Sequence, residues 1–226
     1  MKSKRITIIC GHYGSGKTTF SINYALYLRN QTSKDIYIAD LDVVNPYFRS
    51  REHFDYLKDK NIKVIGRYLP QSGADLPAVS AEVYTLFDNK NIIGIVDMGG
   101  NSAGSLSFAT FRDNVDIEET DIIFILNANR EENSTLEFAL GHFNSIESTL
   151  GLKITGIVNN THLMNDTTIE DINKGELISS ELSKEKNIPV KFTCVNMDFF
   201  DNNPNIKTKY DLFLIGYDIK TVTNII

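Results

Sequence analysis

The run Gly11-His12-Tyr13-Gly14-Ser15-Gly16-Lys17-Thr18 follows the pattern G-x-x-x-x-G-K-[ST], which cradles the phosphate chain of a nucleotide when it joins a strand to a helix. The apolar run Ile6 to Ile9 precedes it and a helix-forming segment follows, so the context is the one the chemistry needs. Glycines let the backbone turn tightly enough for successive N–H groups to face a phosphate, and the helix beginning near Thr18 adds the positive end of its dipole. Lys17 supplies a point charge to the β and γ phosphates, and Thr18 offers a hydroxyl to Mg²⁺, which prefers oxygen ligands. The nucleotide-binding set on this reading is Gly11, Tyr13, Gly14, Ser15, Gly16, Lys17, Thr18 and Thr19.

Carboxylates at the ends of apolar strands on the same edge are the expected partners, because sites in such sheets lie at the carboxyl ends of strands. Ile36 to Ala39 leads into Asp40-Leu41-Asp42, and Ile92 to Val96 leads into Asp97-Met98-Gly99-Gly100. Asp97 is placed to hold Mg²⁺ through water, and Gly99 and Gly100 to present N–H groups to a γ-phosphate. Asp40 reads equally well as a turn or cap residue. Thr18, Asp42 and Asp97 make up the expected metal set.

The elements that must position these groups are legible from hydropathy. Besides the runs above, Ile122 to Leu126, Ile154 to Val158 and Val190 to Cys194 are near-continuous apolar strands separated by helical segments, and Tyr210 to Tyr217 reads as a further strand. Strands of that kind predict an α/β fold: a three-layer arrangement with a mostly parallel sheet between helices. Leu136, Ala139, Leu140, Phe143, Ile146 and Leu150 recur at helical spacing, and a second helix is expected from Thr168 to Lys186, capped by Thr167 or Thr168 and interrupted at Gly175. Asn45 to Ser80 carries Pro46, Pro70, Gly73 and Pro77 and reads as an irregular insertion of loops and short helices in an otherwise single domain over 1–226.

Composition narrows the class. The chain has 226 residues, 42% apolar and 23% charged, as ordinary folded proteins do. Its net charge of -6 opposes non-specific attraction to nucleic acid or anionic lipid, so neither partner is expected. Cys10 and Cys194 are too far apart in sequence to suggest a metal site and read as buried thiols. No membrane span and no signal peptide are read from the chain, and the expected location is cytoplasmic. His53, His142 and His162 have no metal spacing, read as surface or cap residues and receive no role, while Asn129-Arg130 falls near the site or is structural.

Four segments together, GHYGSGKTT at Gly11 to Thr19, DLDVVNPYF at Asp40 to Phe48, VDMGG at Val96 to Gly100 and GIVNN at Gly156 to Asn160, are similar to the CobQ/CobB/MinD/ParA-type nucleotide-binding proteins, a branch of the P-loop nucleotide triphosphatases. The resemblance implies that Asp42 orients the attacking water beside Mg²⁺, with Lys17 the other catalytic group. It also implies that Asn159 or Asn160 reads the base, an Asn being able to pair with the N6/N7 edge of adenine. No N-K-x-D signature for guanine is present, which favours ATP. MinD and ParA members carry an extra Lys five positions before the loop Lys, reaching across a dimer; here that position is His12, and Arg49 and Arg51 are candidates to replace its charge. The implied function is a Mg-dependent ATPase acting as a nucleotide-driven switch, with a homodimer closed by nucleotide and a protein or small-molecule partner. The alternative is an ATP-dependent ligase or kinase of the CobQ or dethiobiotin synthetase kind, with 45–80 holding the second substrate.

Overall fold

The computed structural model describes residues 4–41, 51–65, 81–100, 108 and 110–216, with the backbone alone at 51–54 and 81. Within them the chain runs β1 (Ile6–Cys10), α1 (Lys17–Arg29), β2 (Asp35–Leu41), α2 (Arg51–Asp59), β3 (Ile62–Ile65), α3 (Tyr84–Asp88) and β4 (Ile92–Met98). It continues through β5 (Thr120–Leu126), α4 (Leu136–Leu150), β6 (Gly156–Asn159), α5 (Ile169–Lys186), β7 (Val190–Asn196), α6 (Met197–Asn202) and β8 (Leu212–Ile215). Asp42 and Arg49 lie outside the described residues, and Arg51 opens α2 with only its backbone described.

The described strands form one sheet in the order β3-β2-β4-β1-β5-β6-β7-β8, and every neighbouring pair is parallel. Parallel pairing puts all carboxyl ends on one edge, so the loops after β1, β4, β5, β6 and β7 share a rim. Because side chains alternate along a strand, each strand feeds two cores. Ile6, Ile8 and Cys10 pack with Phe143 and Ile146 of α4 and Leu182 of α5. Ile9 packs on the other side with Phe20 and Ala25 of α1 and Leu57 of α2. The layers are helix, sheet, helix, as the hydropathy pattern predicts. Among the described residues, no helix is long and apolar enough to cross a membrane.

Local chemistry accounts for the helix ends. The Thr135 hydroxyl caps α4 by accepting from the Phe138 amide, and Gly151 ends it at φ 67°, a left-handed conformation glycine adopts without strain. Thr168, not Thr167, opens α5 in a capping box with Asp171, and Asn187 closes it before Pro189. Gly175 does not interrupt α5 but lies within it, because the helix there approaches the end of β6 too closely to leave room for a side chain. The sequence reading names no strand between 45 and 80; β3 is one, its Ile62 and Ile65 buried against its neighbours.

Candidate functional site

The phosphate-loop pattern occupies the turn from β1 into α1, and its glycines do what their freedom permits. Gly14 and Gly16 sit at φ 73° and 82°, and Gly11 at 144°. Gly16 is also the residue before the first turn of α1, and no side chain caps that turn. Lys17 is buried at 7% exposure, its Nζ donating to the carbonyl of His12 at 3.0 Å. A cation folded onto its own loop can exchange that carbonyl for a phosphate oxygen. Ser15 is fully buried, while Thr18 and Thr19 are part-exposed and Tyr13 projects to solvent.

β4 lies directly beside β1, with Ile9 opposite Asp97. By alternation, Asp97 shares the α1 face of the sheet with Ile9 and Ile95, so its carboxylate is on the side where Lys17 and Thr18 begin α1. Asp97 is 1% exposed. Asp40 is neither cap nor turn; it is a β2 residue in register with Asp97. Gly99 is buried, and Gly100 lies so close to the loop that a Cβ there would stand 2.7 Å from both the Lys17 Nζ and the Tyr13 amide nitrogen. Of the two glycines expected to face the phosphates, Gly100 therefore borders the loop lysine.

The far wall comes from β5 and β6. Asn127, fully buried, donates to the carbonyls of Gly14 at 3.4 Å and His162 at 3.3 Å, and its Oδ1 accepts from the His162 and Asn129 amides. Arg130 Nε donates to the same Gly14 carbonyl at 3.1 Å. Asn160 Nδ2 donates to the Ser15 carbonyl at 2.7 Å, so it braces the phosphate loop directly. Asn159 is different. Its Oδ1 accepts from Thr161 through both amide and hydroxyl, and its Nδ2 donates to the Ile172 carbonyl, which commits the side chain to the interior. Of the two asparagines expected to read a base, Asn159 is thereby assigned to packing, and Asn160 is the one on the rim.

Asn160, Thr161 and His162 also line a small cleft with Asn196, at the end of β7, and Phe199 of α6. Sequence reading missed Asn127, His162 and this cleft. The available signal was that β5, β6 and β7 each end in or run directly into asparagine, at Asn127, Asn159-Asn160 and Asn196.

His142 and His162 are not surface residues. Burial, reinforced by the charges of His12 and Lys17, pushes His142 down to about 4, and burial with the Arg130 charge does the same to His162. A ring held neutral in the fold but free to protonate when unfolded contributes stability that is complete above about pH 6.5 and is lost as pH falls toward about 4. A drop from the ordinary 6.5 to about 4 corresponds to roughly 3 kcal/mol per ring. Thermal unfolding followed across that window is expected to show a falling midpoint, and His162→Gln is expected to shallow the fall; an equally steep loss in the variant contradicts the assignment. Cys10 and Cys194 are buried free thiols, as expected, and burial pushes Cys10 up to about 12 and raises Cys194. Among the described residues, no group of three His, Cys, Asp or Glu side chains is arranged to hold a metal.

No family model matches the chain, and no curated protein matches it. Solved structures do. Chloroplast FtsY from Physcomitrella patens aligns over 85% of this chain and 59% of its own, at 18% identity and a TM-score of 0.56. Cell division protein FtsY from Thermotoga maritima aligns over 86% of this chain and 62% of its own, at 22% identity and a TM-score of 0.54. The Signal Recognition Particle 54 kDa protein from Aeropyrum pernix, solved with GDP, aligns over 85% of this chain and 41% of its own, at 16% identity and a TM-score of 0.53. The chain thus spans less than two thirds of the length of these neighbours. The neighbours named here are not CobQ, MinD or ParA proteins, so that finer likeness rests on the residues that suggested it; what the structural likeness establishes is the three-layer α/β fold.

Proposed function

We propose that this chain is a Mg-dependent ATP-binding protein and ATPase, a single-domain switch of the MinD/ParA kind whose nucleotide-bound state is read by a partner or a second copy of itself. The observation that carries the reading is the convergence of Gly16, Lys17, Asp97 and Gly100 at one rim of the sheet. The loop amides and Lys17 would hold the β and γ phosphates, and Gly100 would bring its N–H beside them. Thr18 and Asp97 are hard oxygen donors, which fits Mg²⁺; bound there, the ion would neutralise charge on the phosphates. From the loop the nucleoside would extend toward Asn160, whose side-chain amide could meet the base.

A second reading concerns the base alone. Structural neighbours solved with GDP favour guanine, whereas the chain lacks N-K-x-D and carries Asn159-Asn160-Thr161-His162 after β6. Competition of ATP against GTP for a fluorescent nucleotide decides between them, with ATP the expected winner.

Asp42 remains the proposed water-orienting residue. Asp42→Ala is expected to lower hydrolysis about 100-fold or more while leaving binding within about threefold, the pattern of a group that acts on the attacking water. Parental turnover in that variant removes Asp42 from the mechanism, and turnover that appears only with an added metabolite moves the chain to the ligase or kinase alternative.

A further inference from the structure

The side chain of His12 has a use that the phosphate-binding role of its loop does not require. Its Nδ1 lies 2.8 Å from the Tyr13 carbonyl oxygen and its Nε2 lies 3.2 Å from Oε1 of Glu132. Both partners are acceptors. A neutral imidazole has one N–H and can satisfy only one of them, leaving the other nitrogen lone pair facing an oxygen; the imidazolium satisfies both. Meanwhile the His12 backbone carbonyl is the group that receives the Lys17 ammonium.

The surroundings isolate this ring. From α4, His142 meets it edge-on with centroids 5.2 Å apart, and His142 is itself packed on Phe124 and held neutral by burial. The charged groups that face His12 are therefore Glu132, from the turn before α4, and Lys17, from α1. The turn that supplies Glu132 is fastened to the loop at a second point, where Arg130 and Asn127 donate to Gly14. Segment 127–133 is thus a strap laid along the outside of the phosphate loop, anchored at Gly14 by amide and guanidinium and at His12 by an ion pair that exists only when the ring is protonated.

Resting on the nucleotide-site reading above, we propose that His12 is a positioning residue for that site: a proton-gated link between the phosphate loop and Glu132 that raises affinity for phosphates when it is charged. Two effects act in the same direction. Lys17 must leave the His12 carbonyl to reach a phosphate, and a His12 ring pinned to Glu132 keeps the loop in shape after the lysine departs. The imidazolium also adds positive charge beside a polyanion. Binding of nucleotide then takes up a proton, so affinity rises as pH falls.

The test is calorimetric titration with the Mg²⁺ complex of a non-hydrolysable ATP or GTP analogue, whichever the parent binds more tightly, between about pH 6 and about pH 8, where histidines ordinarily change charge. The parent is expected to bind about fivefold more tightly at the acid end, the scale of a part-exposed ion pair. Glu132→Gln, at a half-exposed position where the fold tolerates it, and His12→Asn are expected to flatten the dependence to less than about twofold while near-ultraviolet dichroism matches the parent. Any protonation of the nucleotide is common to all three proteins and cancels in the comparison. An unchanged slope in Glu132→Gln overturns the proton gate and leaves the phosphate-loop reading intact; a parent that binds no analogue at either pH overturns both.

Discussion

Lys17→Ala is expected to weaken binding of Mg-nucleotide about 100-fold, because it deletes the one cation the loop itself aims at the phosphates, a charge-assisted contact worth roughly 3 kcal/mol. The fold should survive. Without nucleotide, the ammonium donates to the His12 carbonyl, and losing that bond costs about 1 kcal/mol at a loop whose shape is set by Gly11, Gly14 and Gly16. Lys17→Arg is not expected to rescue binding. The guanidinium is broader than an ammonium, and Gly100 stands so close to Nζ that even an added Cβ would lie at 2.7 Å. Calorimetry on both variants, with thermal unfolding as the control for folding, checks the expectation. Parental affinity in a well-folded Lys17→Ala protein would remove the phosphate loop from the functional account altogether.

The parts of this arrangement that were legible in the sequence are those in which local chemistry and distant packing agree. β1, the loop and α1 are contiguous, so a pattern within Gly11 to Thr18 encodes the whole strand–loop–helix turn. β4 was legible because an uninterrupted apolar run ends in Asp97, and its position beside β1 completes what the run alone implies. The rest depends on contacts that no spacing rule reaches. Asn127 and Gly14 are 113 positions apart, and Asn160 and Ser15 are 145 apart, yet those bonds hold the loop against β5 and β6. His162 reads as an ordinary polar residue after a strand until the fold buries it beside Gly16. β3 escaped because Ile62-Lys63-Val64-Ile65 is only four residues long and is broken by an exposed lysine, so it shows neither a continuous apolar run nor a clean alternation. Asn159 and Asn160 are adjacent in sequence and alike in type; alternation at the end of β6 alone sends one inward to Ile172 and the other toward Ser15.

Gly175 tests whether that inner network sets the position of the rim. In a helix interior, alanine is a better helix former than glycine by about 1 kcal/mol, so propensity alone favours Gly175→Ala. Packing opposes it. A Cβ at Gly175 would overlap the Thr161 hydroxyl and the Asn159 side-chain carbonyl. Neither atom is a loose end: the Thr161 hydroxyl donates to Asn159 and accepts from the Ala128 amide, and both residues are buried. Overpacking costs roughly 1–3 kcal/mol, and each buried group left unmatched costs about 1–3 kcal/mol more. The balance predicts a net loss of about 2 kcal/mol, or a fall of roughly 4–8 °C in Tm. Nucleotide affinity should fall as well, because Thr161 carries with it the neighbouring Asn160 that braces Ser15. Gly141→Ala in α4 is the control: nothing lies within 4 Å of a Cβ there, so propensity acts unopposed and the protein should gain about 1 kcal/mol. Two substitutions identical in chemistry are thus expected to move Tm in opposite directions. If both raise it, α5 does not press on the end of β6 as described, and Asn160 is positioned by something other than the helix behind it.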